Sequence, residues 1–579
     1  MADTEVEIEY ENETSNDQEA IFAGITIEKQ NHEPILSKKE LYAWYLYAFA
    51  CEVYSVVSLS SFIPLILEQF ASEQGVLNIN HEIACKNSTE LKTIEEVRCV
   101  VNIFGLWVDT ASFSLYTFSF SVILQAITAI SIGATADHGA LRKTLLISFA
   151  LIGSVSAMLF LLVTPPMFLL VAIIAIIGNV CFGASFVCFN GFLPVLARNH
   201  KDVRKISDKI KSHIAEKKKL SNDQQISYFD DDNINDQNDQ STTELLLNDN
   251  NSDVILYNLL DNLAKTKEII STHISARGFA SGYFGGIILL CICFIISFSL
   301  HSSVFSLQIG VFLSGTWWFL FSLLVAKWLQ PRPGPPLSLN ERRNVRWLDY
   351  VVYAWKKLWI TILQARKLEM TFKFLIAWFF ISDGYTTITS VSLLFAKTTL
   401  QVPAVGLIAI SLIVPLAALF GTIIVPKFQS YFGLTTKQTV IILNVLLLCI
   451  PFYGCLGFIL PFGGLKSGTE LYYLAVWFGI IIGSIQSYCR TLFSELVPRG
   501  RETEFFALYA VTDKGSSWLG PTLVAIITGM SNLFIFVILH VVFNSFFFHR
   551  YYARNSIWIC IIIFPYSIAH TYSFVFECY

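Results

Sequence analysis

The stretch "GATADHGALRK", Gly133 to Lys143, decides the fold. It follows a helix end built of small residues and holds one acid, Asp137, a turn glycine, Gly139, and two bases, Arg142 and Lys143. On either side lies apolar text, residues 110–132 before it and 144–164 after it. A hydrocarbon core about 30 Å thick needs roughly 20 apolar residues per helix. The stretch therefore reads as a short polar turn between two membrane spans. Such a turn binds its acid to a neighbouring helix end in one conformation and releases it in another. Asp137 and Arg142 are candidates for a conformational gate.

Moving outward, the same test finds spans at 41–67, 110–132, 144–164, 167–196, 279–300, 304–326, 374–395, 404–425, 438–461, 471–493, 505–528 and 532–549, with a weaker thirteenth apolar segment at 556–576. The expected fold class is all-α, a polytopic membrane protein with twelve transmembrane helices in two six-helix halves. Composition agrees. Of 579 residues, 54% are hydrophobic and 15% charged, against about 25% charged in soluble domains. Net charge is −4 and no basic patch with interleaved aromatics stands out, which argues against a nucleic-acid partner. No Gly-rich loop ends in Gly-Lys-Ser or Gly-Lys-Thr, and the spans hold no metal-ligand cluster and no paired acids within one helix. Neither a cofactor nor an enzymatic activity is expected.

The amino terminus is acidic (Glu5, Glu7, Glu9, Glu11, Glu13) and lacks the basic start of a signal peptide. Lys and Arg concentrate in the loops on the amino-terminal side, which places that terminus in the cytosol. The expected division is an acidic tail, 1–40; a first half, 41–326; a central loop with an interfacial helix, 327–373; a second half, 374–549; and a divergent apolar tail, 550–579. Within the first half, residues 197–277 read as a cytoplasmic loop, whose basic first part, "KDVRKISDKIKSHIAEKKK", is a candidate surface helix and whose next part, "NDQQISYFDDDNINDQNDQ", reads as disorder. The long loop after span one carries Cys85 and Cys99, which can pair in an oxidising lumen, beside the glycosylation sequon at Asn87.

Two six-helix halves are a known transporter plan, with the site at their interface. Span four, "GASFVCFNGFLPVL" from Gly183, and span ten, "GSIQSYCRTLFSEL" from Gly483, each put a polar residue seven places after a glycine: Asn190 and Arg490. Ionisable residues within spans mark paths or pair with each other. Asp383 and Glu52 are candidates for coupling or a polar cavity, against the alternative of structural hydrogen bonds. Gln486, Asn190 and Asn179 are candidates for substrate hydrogen bonds. Arg490 offers a planar fork for a carboxylate, although it also reads as an anchor at the end of span ten. Asp513 and Lys514 are adjacent, so their side chains diverge and each is expected to need its own partner. Lys514 reaches the headgroups while Asp513 pairs with a base such as Arg490, or the two form a gate that changes partners.

The opening turn resembles the cytoplasmic loop signature of the major facilitator superfamily. It departs in having Gly139 two residues after Asp137 and His138 where a base is usual; the matching loop, "PKFQSYFGLTTK", is weaker. Three longer stretches are more specific: "KKELYAWYLYAFACEVYSVVSLSSFIPLILEQFA" (Lys38–Ala71), "GTWWFLFSL" in span six, and "YCRTLFSELVPRGRETEFFALYAVTDKGSSWLGP" (Tyr488–Pro521). Together they resemble the autophagy-related protein 22 family of fungal vacuolar amino-acid effluxers, a branch of the major facilitator superfamily. The resemblance implies a multi-pass protein of the vacuolar membrane. It also implies release of neutral amino acids such as leucine to the cytosol after autophagic breakdown. Protons are a candidate coupling partner on a separate ground, because burial raises the pKa of a carboxyl within a span. Other readings are a lipid or ion conduit of the same fold, and a scaffold or sensor that recruits partners through its long loop. The text after Met530 departs from the family's usual twelfth helix and short charged tail.

Overall fold

The computed structural model describes residues 33–516, apart from 79–82, 86–98, 104, 228–238, 301–303, 336–346, 364–367, 399, 401, 403 and 460–463. The twelfth span, the thirteenth apolar segment, the tail and Asn87 lie outside the described residues. Nine described helices are long and apolar enough to cross a bilayer. They match expected spans one to six and eight to ten. Span seven is the helix Glu369–Thr398, and the described part of span eleven is the helix Glu502–Ser516.

In chain order the helices are α1 (Lys38–Val53), a π-helical segment (Tyr54–Phe62), α2 (Ile63–Gln74), α3 (Thr110–Ala136), α4 (Leu141–Leu159), α5 (Phe168–Arg198), α6 (Lys201–Ser227), α7 (Asp239–Ser299), α8 (Val304–Trp328), α9 (Trp347–Leu363), α10 (Glu369–Thr398), α11 (Ala404–Phe432), α12 (Thr436–Ile459), α13 (Gly468–Leu496) and α14 (Glu502–Ser516). Large apolar side chains such as Leu115 and Phe298 stand exposed on them, as expected where lipid is the neighbour. Helices without a hydrophobic drive between them pack through small residues. A Cβ on Gly483 would come within 2.6 Å of the Ala418 carbonyl oxygen, and one on Gly479 within 2.6 Å of the Val414 oxygen. That spacing lays α13 directly against α11. The second half is cored by aromatics: Trp378 stacks on Tyr509 at 4.8 Å between centroids, and Phe493 on Tyr509 at 5.1 Å.

The chain divides into two compact units. The first comprises residues 1–37 and 195–270. In it Leu36 N–H donates to the Asn199 carbonyl at 2.9 Å, Asn199 donates to Glu33, and Arg204 donates to Asn199 Oδ1 at 2.9 Å. Val203, Ser207 and Ile210, at helical spacing, form the buried face of α6. The second unit comprises 38–194 and 271–579 and holds every candidate site residue that the structure describes.

Within 197–277 the basic first part is helical, as α6, and most of the Asn/Asp-rich part, 228–238, lies outside the described residues. One boundary needs correction: α7 begins well before the apolar text of span five. Lys and Asp at i,i+4 favour such a helix (Lys265 Nζ lies 2.7 Å from Asp261). The loop after span one is described in part. It carries a three-stranded antiparallel sheet, β1 (Val76–Leu77), β2 (Cys99–Ile103) and β3 (Leu106–Asp109). Ile103 pairs with Leu106, and Gly105, at φ 90°, closes the tight turn between them. Cys85 and Cys99 form a disulfide, with Cα atoms 5.9 Å apart, that ties this loop to β2.

Candidate functional site

Two groups of polar residues bring helices of the first half against helices of the second. The outer group is built on the turn between α3 and α4. An α-helix begins with backbone N–H groups that lack intrahelical partners, and its N-terminus carries partial positive charge. Asp137 places its carboxylate on the N-terminus of α14, accepting from the N–H groups of Thr503 at 2.7 Å and Glu504 at 2.9 Å. Arg142 lies between two acids: one guanidinium nitrogen is 2.7 Å from Asp137 Oδ1 and 2.9 Å from Glu502 Oε2. Its Nε donates to Thr503 Oγ1 at 3.0 Å. Burial pushes the Asp137 carboxyl up to about 6; Arg142 works in the opposite sense and Glu502 adds to the rise.

The turn is held from a second direction. Gly139 N–H donates to the Pro335 carbonyl at 3.3 Å, and Gly334 N–H donates to the Gly139 carbonyl at 2.9 Å. A Cβ on Gly334 would fall 1.8 Å from the Asp137 carbonyl oxygen. Arg332, in the same "PRPGPP" strap, forms a two-pronged pair with Glu40 at 2.7 and 2.9 Å. His138 donates from Nδ1 to the Pro335 carbonyl and accepts at Nε2 from the Tyr353 hydroxyl of α9, each at 3.1 Å. The Pro335 carbonyl, which can only accept, thus fixes the tautomer. Further along α9, Trp355 donates to Ser131 at 3.1 Å and Thr361 donates to Glu504 at 2.6 Å.

The inner group lies deeper in the spans. Arg490 is buried, donating from Nε to Ser275 Oγ at 3.0 Å, to Asn190 Oδ1 at 3.1 Å and to the Ser275 carbonyl at 2.9 Å. Its guanidinium also lies 4.2 Å from the centroid of Phe279 and 5.1 Å from that of Trp44. The end-of-helix anchor is therefore overturned. Arg490 is enclosed because α13 presents it to α5 and α7, not to solvent or headgroups. Gln486, one turn earlier, accepts from the Tyr283 hydroxyl at 2.9 Å. Asn179 donates to Ser121 at 2.6 Å.

Asp513 does not pair with Arg490. Ser382 and Tyr385 of α10 donate to its Oδ1 at 2.7 and 2.9 Å. Lys514 turns back on its neighbour, with Nζ 3.5 Å from Asp513 Oδ2; a four-carbon stem is long enough to offset the divergence of adjacent helical positions. Asp383 is fully enclosed within α10. Glu52 is half-buried and lies two residues before the π-helical segment.

The structure thus joins Asp137 with Arg142, Asn190 with Arg490, and Asp513 with Lys514. Glu502, Glu504, Thr361, Glu40, Arg332, Ser275, Tyr283, Ser382 and Tyr385 were not among the candidates. "PRPGPP" and the acids beginning α14 carried a weak signal for the outer group. Lone hydroxyls in apolar helices carried none.

The family described as "Vacuole effluxer Atg22 like" matches residues 36–556. Autophagy-related protein 22-1 of Aspergillus fumigatus is 39% identical over 523 residues, which cover 85% of this chain and 85% of the relative. Autophagy-related protein 22 of Gibberella zeae is 40% identical over 501 residues, covering 85% and 75%. Among solved structures, the human organic anion transporter MFSD10 superposes with a TM-score of 0.53 at 10% identity, covering 89% of this chain and 98% of that one. The major facilitator transporter FucP, in its outward conformation, gives 0.52 at 11% identity with the same coverage. At those identities the likeness is one of fold: the major facilitator arrangement of helices.

Proposed function

The chain belongs to the vacuole effluxer Atg22-like family, and we propose that it is a vacuolar membrane transporter releasing neutral amino acids such as leucine to the cytosol by alternating access. Family membership and the major facilitator fold support the transporter. The observation that carries the mechanism is the outer group, where one buried arginine and one buried aspartate close the turn between α3 and α4 onto the N-terminus of α14. The bonds from Asp137 and Arg142 to Glu502, Thr503 and Glu504 join helices that must separate for that face to open. The Lys/Arg bias puts this face in the cytosol, so the arrangement is the lumen-facing state, and release requires these bonds to break. Asp137, Arg142 and Glu502 are then the gate.

In this reading Arg490, Asn190 and Ser275 form an inner tie between the halves. Asn179 and Gln486 are polar residues of the transport path, and the enclosed Asp383 takes part only in another conformation. The half-buried Glu52 is a carboxylate able to take substrate or proton. Cys85–Cys99 and a glycan at Asn87 belong to the lumenal loop. The test is efflux of labelled leucine from proteoliposomes holding the full-length protein, with and without a pH gradient. Leucine efflux that follows the protein and is competed by other neutral amino acids supports the reading. Folded protein that moves no neutral amino acid overturns it.

A further inference from the structure

We propose that Glu52 and Lys514 together form the receptor for the two charged ends of the substrate, Glu52 taking the α-ammonium and Lys514 the α-carboxylate. This rests on the amino-acid reading above and adds how the substrate is recognised. A neutral amino acid travels as a zwitterion. A low-dielectric path must offer it one anion and one cation, because each charge left unpaired there costs several kcal/mol.

The other charges of the inner group are already committed. Arg490 directs three donors at Ser275 and Asn190 and lies against aromatic rings. Asp513 is held by the hydroxyls of Ser382 and Tyr385. Glu52 is different. No hydrogen bond or ion pair within 4 Å engages its carboxylate among the described residues, and the cations whose fields reach it are Arg490 and Lys514. Its stem is pressed on Gly282 of α7, where a Cβ would stand 2.6 Å from Glu52 Cγ. The position is therefore fixed while the carboxylate stays open. It also lies two residues before the π-helical segment, and such departures from the α-helix recur at functional sites.

Lys514 is the matching cation. Its side chain is 41% exposed, and its one ion pair among the described residues is long, at 3.5 Å. Glu52 stands on α1 and Lys514 on α14, so a bound zwitterion joins the first half to the second. Tyr283, bonded to Gln486, and Tyr385, bonded to Asp513, supply polar groups beside that path. Glu52 and Lys514 sum to zero formal charge. A zwitterion leaves the sum unchanged, whereas a cationic amino acid or a simple carboxylate does not.

The test measures labelled leucine uptake by full-length protein in proteoliposomes. The competitors are leucinamide, which lacks the carboxylate, and 4-methylpentanoate, which lacks the ammonium. Wild-type protein should be inhibited by neutral amino acids and by neither analogue. Glu52→Gln should raise the KM for leucine at least about tenfold, the loss of one charge-assisted bond, and should improve 4-methylpentanoate relative to leucine. Lys514→Met should do the same for leucinamide. A general folding defect would not invert the ranking of analogues in opposite senses. If either neutral variant fails to fold, Glu52→Asp or Lys514→Arg is ranked the same way and should keep the wild-type order with a higher KM. Wild-type KM and ranking in folded variants would overturn the receptor while leaving leucine transport standing. A wild-type protein that moves no neutral amino acid would overturn both.

Discussion

Arg490 and Asp137 are buried charges with opposite consequences. Arg490 is spent on protein partners, so shortening it strands buried acceptors, at about 1–3 kcal/mol for each one left without a donor. Lysine keeps the charge but cannot reproduce the fork. Arg490→Lys should therefore lower the thermal unfolding temperature in detergent, and Arg490→Met should lower it further. If both melt as wild type does, the tie is not structural. Asp137 has its carboxyl raised from an ordinary value near 4 to about 6, chiefly by burial. A raised folded-state value means that its contribution to stability is full below about pH 4 and is lost as pH rises through 6. The stability difference between wild type and Asp137→Asn should fall across that window. A pH-independent difference would show that the titrating group lies elsewhere.

Among the elements, α9 and the strap before it bear on whether the outer group can form. Three contacts set α9 against that face: Tyr353 to His138, Trp355 to Ser131 and Thr361 to Glu504. The strap admits only glycine at 334, where any Cβ would meet the Asp137 carbonyl. Gly334→Ala should push the strap off the turn and favour opening of this face. A faster reaction of a cysteine placed at Thr503 with a soluble maleimide would report it, and an unchanged rate would count against the strap's role. A second prediction concerns membrane packing. Gly483→Leu would force α13 from α11, an overpacking cost of about 3 kcal/mol or more, and should reduce the yield of folded protein, read by size-exclusion chromatography.

For the whole molecule, alternating access requires α5 and α14 to separate. A Cβ on Gly191 would lie 3.3 Å from Thr503 Cβ, within reach of a disulfide after slight adjustment. Gly191→Cys with Thr503→Cys should cross-link under oxidation, stop leucine efflux and recover on reduction. Efflux through fully cross-linked protein would refute separation at this contact.

The sequence alone determined the membrane class, the order of the helices described for spans one to eleven and the polar turn at Asp137. Those follow from length and hydropathy along the chain, and from a signature only eleven residues long. It also marked Arg490, Asp513 and Lys514 as exceptional, because charges in apolar text are rare. Only the tertiary structure decided their partners. Arg490 meets Asn190 across 300 residues and Asp137 meets Thr503 across 366, separations that no local periodicity encodes. The hydroxyls of Ser275, Ser382 and Tyr385 became significant only when packing placed a charge opposite them. The sequence marks 201–219 as a candidate surface helix, whereas the start of α7, at 239–270, is too polar to carry a hydropathy signal. Hydropathy records where a chain meets lipid, whereas the pairing of buried charges depends on which helices the fold brings together.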